Sequence, residues 1–180
     1  MRKYLLTGLI FISLIVVTIT CVQKGNTAPA PKYFAYVANS GGDNNISAYS
    51  IDPTTGALTE IKGSPFPTKI SPVGMVIHPN NNFLYVLNYE SDIISVYAIN
   101  SSTGALSQIE ESPFKLTKSF DSIKMAPSGK FLYTLNLDGY ISIYAVNAKT
   151  GALAEIKGSP FHIQNKITGI AFVPTGKLAL

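Results

Sequence analysis

The stretch from residue 33 onward predicts an all-β chain made of three copies of one four-stranded unit. Three observations predict it. A phrase recurs: Thr55-Gly56-Ala57-Leu58, Thr103-Gly104-Ala105-Leu106 and Thr150-Gly151-Ala152-Leu153, with the glycines 48 and then 47 residues apart. Pro65, Pro113 and Pro160, each in a Ser-Pro-Phe triplet, keep the same two steps. Between these landmarks lie short runs of aromatic and β-branched residues bounded by turn residues, and no helical periodicity follows Cys21. A period near 50 carried by turn and apolar residues alike marks repeated structural units.

The elements follow in order. Met1-Arg2-Lys3 precedes a nearly unbroken apolar run from Tyr4 to Thr20, the charged n-region and h-region of an N-terminal signal helix. Cys21, the only cysteine, stands directly after it and has no internal partner for a disulfide. Its place resembles a bacterial lipoprotein signal, with residues 1–21 as signal peptide and Cys21 as the lipidated residue. An uncleaved anchor helix and ordinary cleavage are the other two readings. All three put the rest of the chain outside the cytoplasm, in a bacterial cell envelope and attached to the membrane through lipid or helix. Residues 22–32, with Gly25, Pro29 and Pro31, read as a linker.

Residues 34–39 form a first strand, residues 40–45 a loop, and residues 46–51 a second strand that alternates apolar with small or polar side chains. In Asp52-Pro53-Thr54-Thr55-Gly56 the proline presets φ and the glycine takes the positive φ that closes a hairpin. Residues 57–61 make a third strand polar enough for an exposed edge. Residues 63–71 cross over, and residues 73–78 make a fourth, compactly apolar strand expected to be buried on both faces. The cycle restarts at Phe83 and again at Phe131, giving repeats over about 34–82, 83–130 and 131–180, the last with a strand over 168–173.

Four strands per unit at this period match a β-propeller blade. The combined phrase Tyr-Val-Ala-Asn, Asn-x-Ile-Ser-x-Tyr-x-Ile-Asp-Pro-x-Thr-Gly-Ala-Leu and Gly-Ser-Pro-Phe resembles the lactonase-type β-propellers. That group includes propeller 6-phosphogluconolactonases and surface repeat proteins of the YVTN kind. The resemblance implies a ring of seven blades, on the order of 340 residues at this period. Three blades form an incomplete propeller, so the expectation is a truncated member, a ring completed by self-association, or an open arc.

Apolar residues make up 46% of the chain and charged residues 13%, which argues against disorder. The net charge of +4 includes Arg2 and Lys3, and no Lys/Arg cluster remains beyond them, so nucleic acid is not an expected partner. No nucleophile triad, phosphate loop or cysteine pair is present, so no catalytic residue, metal site or cofactor is assigned. His78 aligns with Ala126 and Val173, which makes it a packing or turn residue; His162 reads as a solvated loop residue. The relatives are thought to use arginine among their site residues, and Arg2 is the only arginine here. The reading is therefore a binding or interaction surface rather than an enzyme, with lactone hydrolysis as the alternative and a decayed gene product as a third.

Candidate ligand contacts, the ligand unknown, are Asn39, Asn88 and Asn136 at equivalent strand ends, with Lys124 on an inner strand. The competing role for the asparagines is satisfying backbone groups at the strand-to-turn junction. Tyr36, Tyr85 and Tyr133, like Tyr49, Tyr97 and Tyr144, read as packing between blades. Specificity is expected in the loops at 40–45, 89–92 and 137–139.

Overall fold

The computed structural model describes residues 32–173, and every strand in it belongs to an antiparallel sheet. The signal helix and the lipidation of Cys21 lie outside the described residues. The first sheet contains β1 (Tyr33–Asn39), β2 (Asn45–Ile51), β3 (Leu58–Glu60) and β4 (Phe66–Pro67). The second contains β5 (Pro72–Ile77), β6 (Phe83–Asn88), β7 (Ile93–Ile99), β8 (Leu106–Gln108) and β9 (Phe114–Lys115). The third contains β10 (Ser122–Met125), β11 (Phe131–Leu135), β12 (Tyr140–Val146), β13 (Leu153–Glu155) and β14 (Phe161–His162).

The sheets are offset from the sequence repeat by one strand. The apolar strand that ends each repeat pairs forward: β5 with β6 and β10 with β11, in the orders β5-β6-β7-β8 and β10-β11-β12-β13. The first sheet, ordered β1-β2-β3, has no such innermost strand among the described residues. The fourth, outermost position is split in two. β7 pairs with β8 through Tyr97–Ile99 and with β9 through Ile93 and Ile94, and the other sheets repeat this division. Between the two pieces the serine of Ser-Pro-Phe turns its hydroxyl back to the central strand. Ser64, Ser112 and Ser159 accept from the backbone N–H of Ala48, Val96 and Ile143 at 3.0, 2.9 and 3.0 Å. The pieces β4, β9 and β14 carry no sequence signal of their own, since two residues cannot show a period.

The second sheet is the middle layer. Strict alternation along β6 and β7 sends Phe83, Tyr85, Leu87, Ile94 and Val96 into one apolar cluster with the third sheet. Leu84, Val86 and Tyr97 enter a second cluster with Ile46 of the first sheet. All six residues of β6 are buried. The innermost strand β5, expected to be buried on both faces, is not: Val73 and Ile77 are 45% and 40% exposed. Among the described residues one edge of β5 has no paired strand. The polar edge expected at residues 57–61 is observed, as Leu58–Glu60 is exposed throughout.

Sheets are latched to one another by the repeated phrase. The Tyr36 hydroxyl donates to the Gly104 carbonyl at 2.8 Å and the Tyr85 hydroxyl to the Gly151 carbonyl at 3.1 Å. Gly104 and Gly151 have φ of 74° and 80°, and a Cβ there would lie 2.4 Å from the Phe34 ring and 2.6 Å from the Phe83 ring. Each turn therefore needs glycine twice, for the backbone conformation and for the aromatic ring seated on it. Tyr97 adds a hydroxyl bond to the Pro67 carbonyl at 2.8 Å. For Tyr36, Tyr85 and Tyr97 these contacts are the packing between blades expected of them.

Candidate functional site

The strand ends marked by the asparagines lie at one end of the sheets, with the loops that join β1 to β2, β6 to β7 and β11 to β12. The Asn39 amide donates to Asn45 Oδ1 at 2.7 Å and Ser47 Oγ at 2.8 Å. Asn88 is fully buried; its amide donates to the Val86 carbonyl and Ser95 Oγ, and its Oδ1 accepts from the Thr68 hydroxyl. Asn136 donates to the Ser119 carbonyl at 3.0 Å and accepts from the Tyr140 N–H at 2.9 Å. The three amides tie the strand end to its turn or to the neighbouring crossover. Asn39 also lines an open cleft of about 400 Å³ with Gly41 and Asp43 of the loop expected to carry specificity, Ser47 of β2 and Glu60 of β3.

Lys124 is exposed on β10 and pairs in register with Tyr133, on the face of the third sheet that points away from the second. It does not join the asparagines. His78 is 5% exposed. Its Nδ1 accepts from the Asn80 N–H at 3.1 Å, which leaves Nε2 as the protonated nitrogen donating to the Gly129 carbonyl at 3.0 Å. It is a turn and packing residue, as its alignment with Ala126 implies. His162 is exposed, but it is less free than a solvated loop residue: it lies on β14 and stacks on the Tyr140 ring, with centroids 4.4 Å apart.

A polar rim between the second and third sheets involves two of the loops expected to carry specificity, at 89–92 and 137–139, but its crossover residues escape the sequence reading. The crossover at 116–121 is anchored by Phe120, fully buried in the cluster shared by these sheets. On either side of that anchor, Ser119 donates its hydroxyl to Asp92 Oδ1 at 2.6 Å and Asp121 Oδ2 accepts from the Leu137 N–H at 3.0 Å. The Lys118 ammonium sits 4.0 Å from the centroid of the Tyr140 ring, the same ring that stacks on His162. Two carboxylates, a cation and an imidazole thus converge on the loops at 89–92 and 136–140. The sequence offered no length signal, since Phe66 to His78 and Phe114 to Ala126 are both 12 residues apart. Only the structure separates them: β10 starts later than β5, which leaves six residues between β9 and β10 against four between β4 and β5. Among the described residues no cluster of His, Cys, Asp and Glu is placed to hold a metal.

The stacked antiparallel sheets and this end-on rim are the setting for the comparisons. The family described as lactonase, 7-bladed beta-propeller, matches residues 29–119. The chain belongs to the seven-bladed lactonase propellers. Among solved structures, this lactonase-family chain is similar to a putative 6-phosphogluconolactonase from Bacteroides fragilis, with TM-score 0.62 and 19% identity over 74% of this chain and 37% of that one. A putative 6-phosphogluconolactonase from Bacteroides uniformis gives 0.57 and 22% over 68% and 36%. The periplasmic gluconolactonase of Pseudomonas aeruginosa gives 0.59 and 14% over 69% and 36%. The chain thus spans little more than a third of each, and at these identities the likeness is one of fold. No curated protein matches it in sequence.

Proposed function

We propose that this chain serves in the hydrolysis of a sugar lactone, supplying three blades of a lactonase-type propeller. The observation that carries the reading is the family match over residues 29–119, which takes in the first two sheets and the start of the crossover that bears the rim. It favours the hydrolase over a binding surface without chemistry.

Ring opening needs a base to take a proton from water as it attacks the acyl carbon. It also needs positive charge or a donor for the oxyanion of the tetrahedral intermediate, and a proton for the ring oxygen when the C–O bond breaks. The rim holds these types. Asp121 has one oxygen engaged by the Leu137 N–H, which orients the carboxylate and leaves the other oxygen for water. Lys118, held near its ammonium end by the Tyr140 ring, is the cation on the same crossover. It would meet a phosphorylated lactone as a point charge, without an arginine's bidentate fork.

Proton release from unphosphorylated and phosphorylated δ-gluconolactone, with the purified full chain, tests the assignment. Hydrolysis above the buffer rate is expected, falling about 100-fold or more in Asp121→Asn with an unchanged melting curve. A wild-type rate equal to buffer alone removes the proposal; an active Asp121→Asn removes the assigned base.

A further inference from the structure

The third sheet departs from its sisters at one spot on its buried face. Register pairs Thr134 with Ser142 and Leu132 with Tyr144, so Thr134, Ser142 and Tyr144 share the face that meets the second sheet. Thr134 and Ser142 are 0% exposed and Tyr144 is 3% exposed. Each carries a hydroxyl oxygen with no hydrogen-bond partner among the described residues. Buried hydroxyls in folded proteins are nearly always paired, since an unpaired one forfeits the bonds it made to solvent.

The same positions are accounted for in the second sheet. Val86 stands where Thr134 does and packs in the apolar cluster shared with the first sheet. Ser95, in the place of Ser142, accepts from the Asn88 amide at 3.1 Å. Tyr97, in the place of Tyr144, donates to the Pro67 carbonyl at 2.8 Å. In the third sheet all three arrangements change together. The loop after Asn136 has three residues, against four after Asn88, and the Tyr140 N–H donates to Asn136 Oδ1 at 2.9 Å. The Asn136 amide is turned to the Ser119 carbonyl, at 3.0 Å, and leaves Ser142 alone. Tyr144 makes no bond to β9 of the kind Tyr97 makes to β4. Threonine in place of valine then adds a third hydroxyl to the patch.

These groups lie close enough to act on one another, since the Ser142 and Thr134 hydroxyls oppose the effect of burial on the Tyr144 phenol. None of them reaches hydrogen-bond geometry with another. Polar groups held just beyond a direct bond are what a bridging water spans. The apolar cluster that holds Tyr144 includes Leu87, Ile94, Val96 and Phe120, which offer no partner. The trio carries no formal charge, which suits a neutral guest rather than an ion.

We propose that one water molecule binds between the second and third sheets, bridging the hydroxyls of Thr134, Ser142 and Tyr144. Its two protons and two lone pairs match the set, and buried waters typically make about three such bonds. Both walls of the site are five-stranded sheets, so it is interior to the fold and independent of any reaction at the rim.

Oxygen-17 relaxation dispersion of the solvent, which registers water held long inside a protein, tests this on the full chain in detergent. The wild type is expected to hold at least one such water, and Thr134→Val one fewer. Urea denaturation of the same pair gives a second readout. Valine keeps the shape of threonine and matches Val86, so a chain whose hydroxyls were simply unpaired would keep or gain stability on the exchange. A chain that binds the water should instead lose about tenfold in its folded-to-unfolded ratio. Should Thr134→Val fail to fold, Ser142→Ala carries both readouts with the same expectation. A wild type without a long-lived water, or a variant at least as stable as wild type, would overturn the proposal. An equal water count in the two proteins would overturn it even with stability lost, because the hydroxyls would then pair with one another.

Discussion

Asp52, Asn100 and Asn147 hold the same place in three hairpin turns and do the same task with different charge. Asp52 Oδ1 accepts from the N–H groups of Thr54 and Thr55, both at 2.8 Å. Asn100 Oδ1 accepts from Ser102 and Thr103, and Asn147 Oδ1 from Lys149 and Thr150. The bonds from Thr55 and then Thr54 favour the ionised carboxylate and lower its pKa from the ordinary value. A carboxyl with a depressed folded pKa stabilises the fold above its unfolded value, near pH 4, and loses that contribution as the pH falls through the folded value. Asp52→Asn should therefore match wild type in urea midpoint near pH 7 and show a smaller loss between pH 5 and about pH 2.5. Equal acid slopes in the two proteins would contradict this account. Residue roles of this kind were legible in the sequence because a turn is local chemistry. For Asn88 and Asn136 the local half was legible, the bonds to the Val86 carbonyl and the Tyr140 N–H; the bonds to Thr68 and Ser119 were not, since those lie in crossovers that arrive from elsewhere in the chain.

At the level of elements, a Phe-x-Tyr strand start and a Thr-Gly-Ala turn are two halves of one joint placed in neighbouring sheets. Their recurrence is visible in the sequence; their partnership is not, because Tyr36 and Gly104 are 68 residues apart. Gly104→Ala should lose about 1–2 kcal/mol from its positive φ alone, and more from collision with the Phe34 ring. Phe34→Ala relieves only the collision. A double-mutant cycle by urea denaturation should therefore show Gly104→Ala and Phe34→Ala to be less than additive, with a coupling of about 0.5–3 kcal/mol. Strict additivity would mean that the ring and the turn do not share a contact.

Across the whole stack, tyrosines lead from one sheet to the next, and their burial gives the assembly a common alkaline limit. Burial pushes the Tyr36 phenol up to about 12 and raises that of Tyr85 further. Tyr144 is also pushed up to about 12, by burial first and then by the Glu155 carboxylate, with the Ser142 and Thr134 hydroxyls beside it pulling the other way. A phenol raised in the folded state stabilises it below the unfolded value near pH 10, and that contribution is lost as the pH rises through the folded value. The urea midpoint should fall between pH 10 and pH 12, and less steeply in Tyr36→Phe. A midpoint independent of pH across that window would show that these phenols ionise without opening the sheets.

Length, turn chemistry and alternation determined that this chain is a series of antiparallel four-stranded units, because those signals are local and each copy repeats them. Tertiary structure alone decided how the units are cut into sheets, since the apolar strand closing each repeat pairs with the strand that follows it. It alone brought Asp92, Lys118, Asp121 and His162 to one rim, through a crossover pinned by the burial of Phe120. It also left residues 168–173 without a strand, since among the described residues no partner edge pairs with them and no sequence pattern carries such an edge's position.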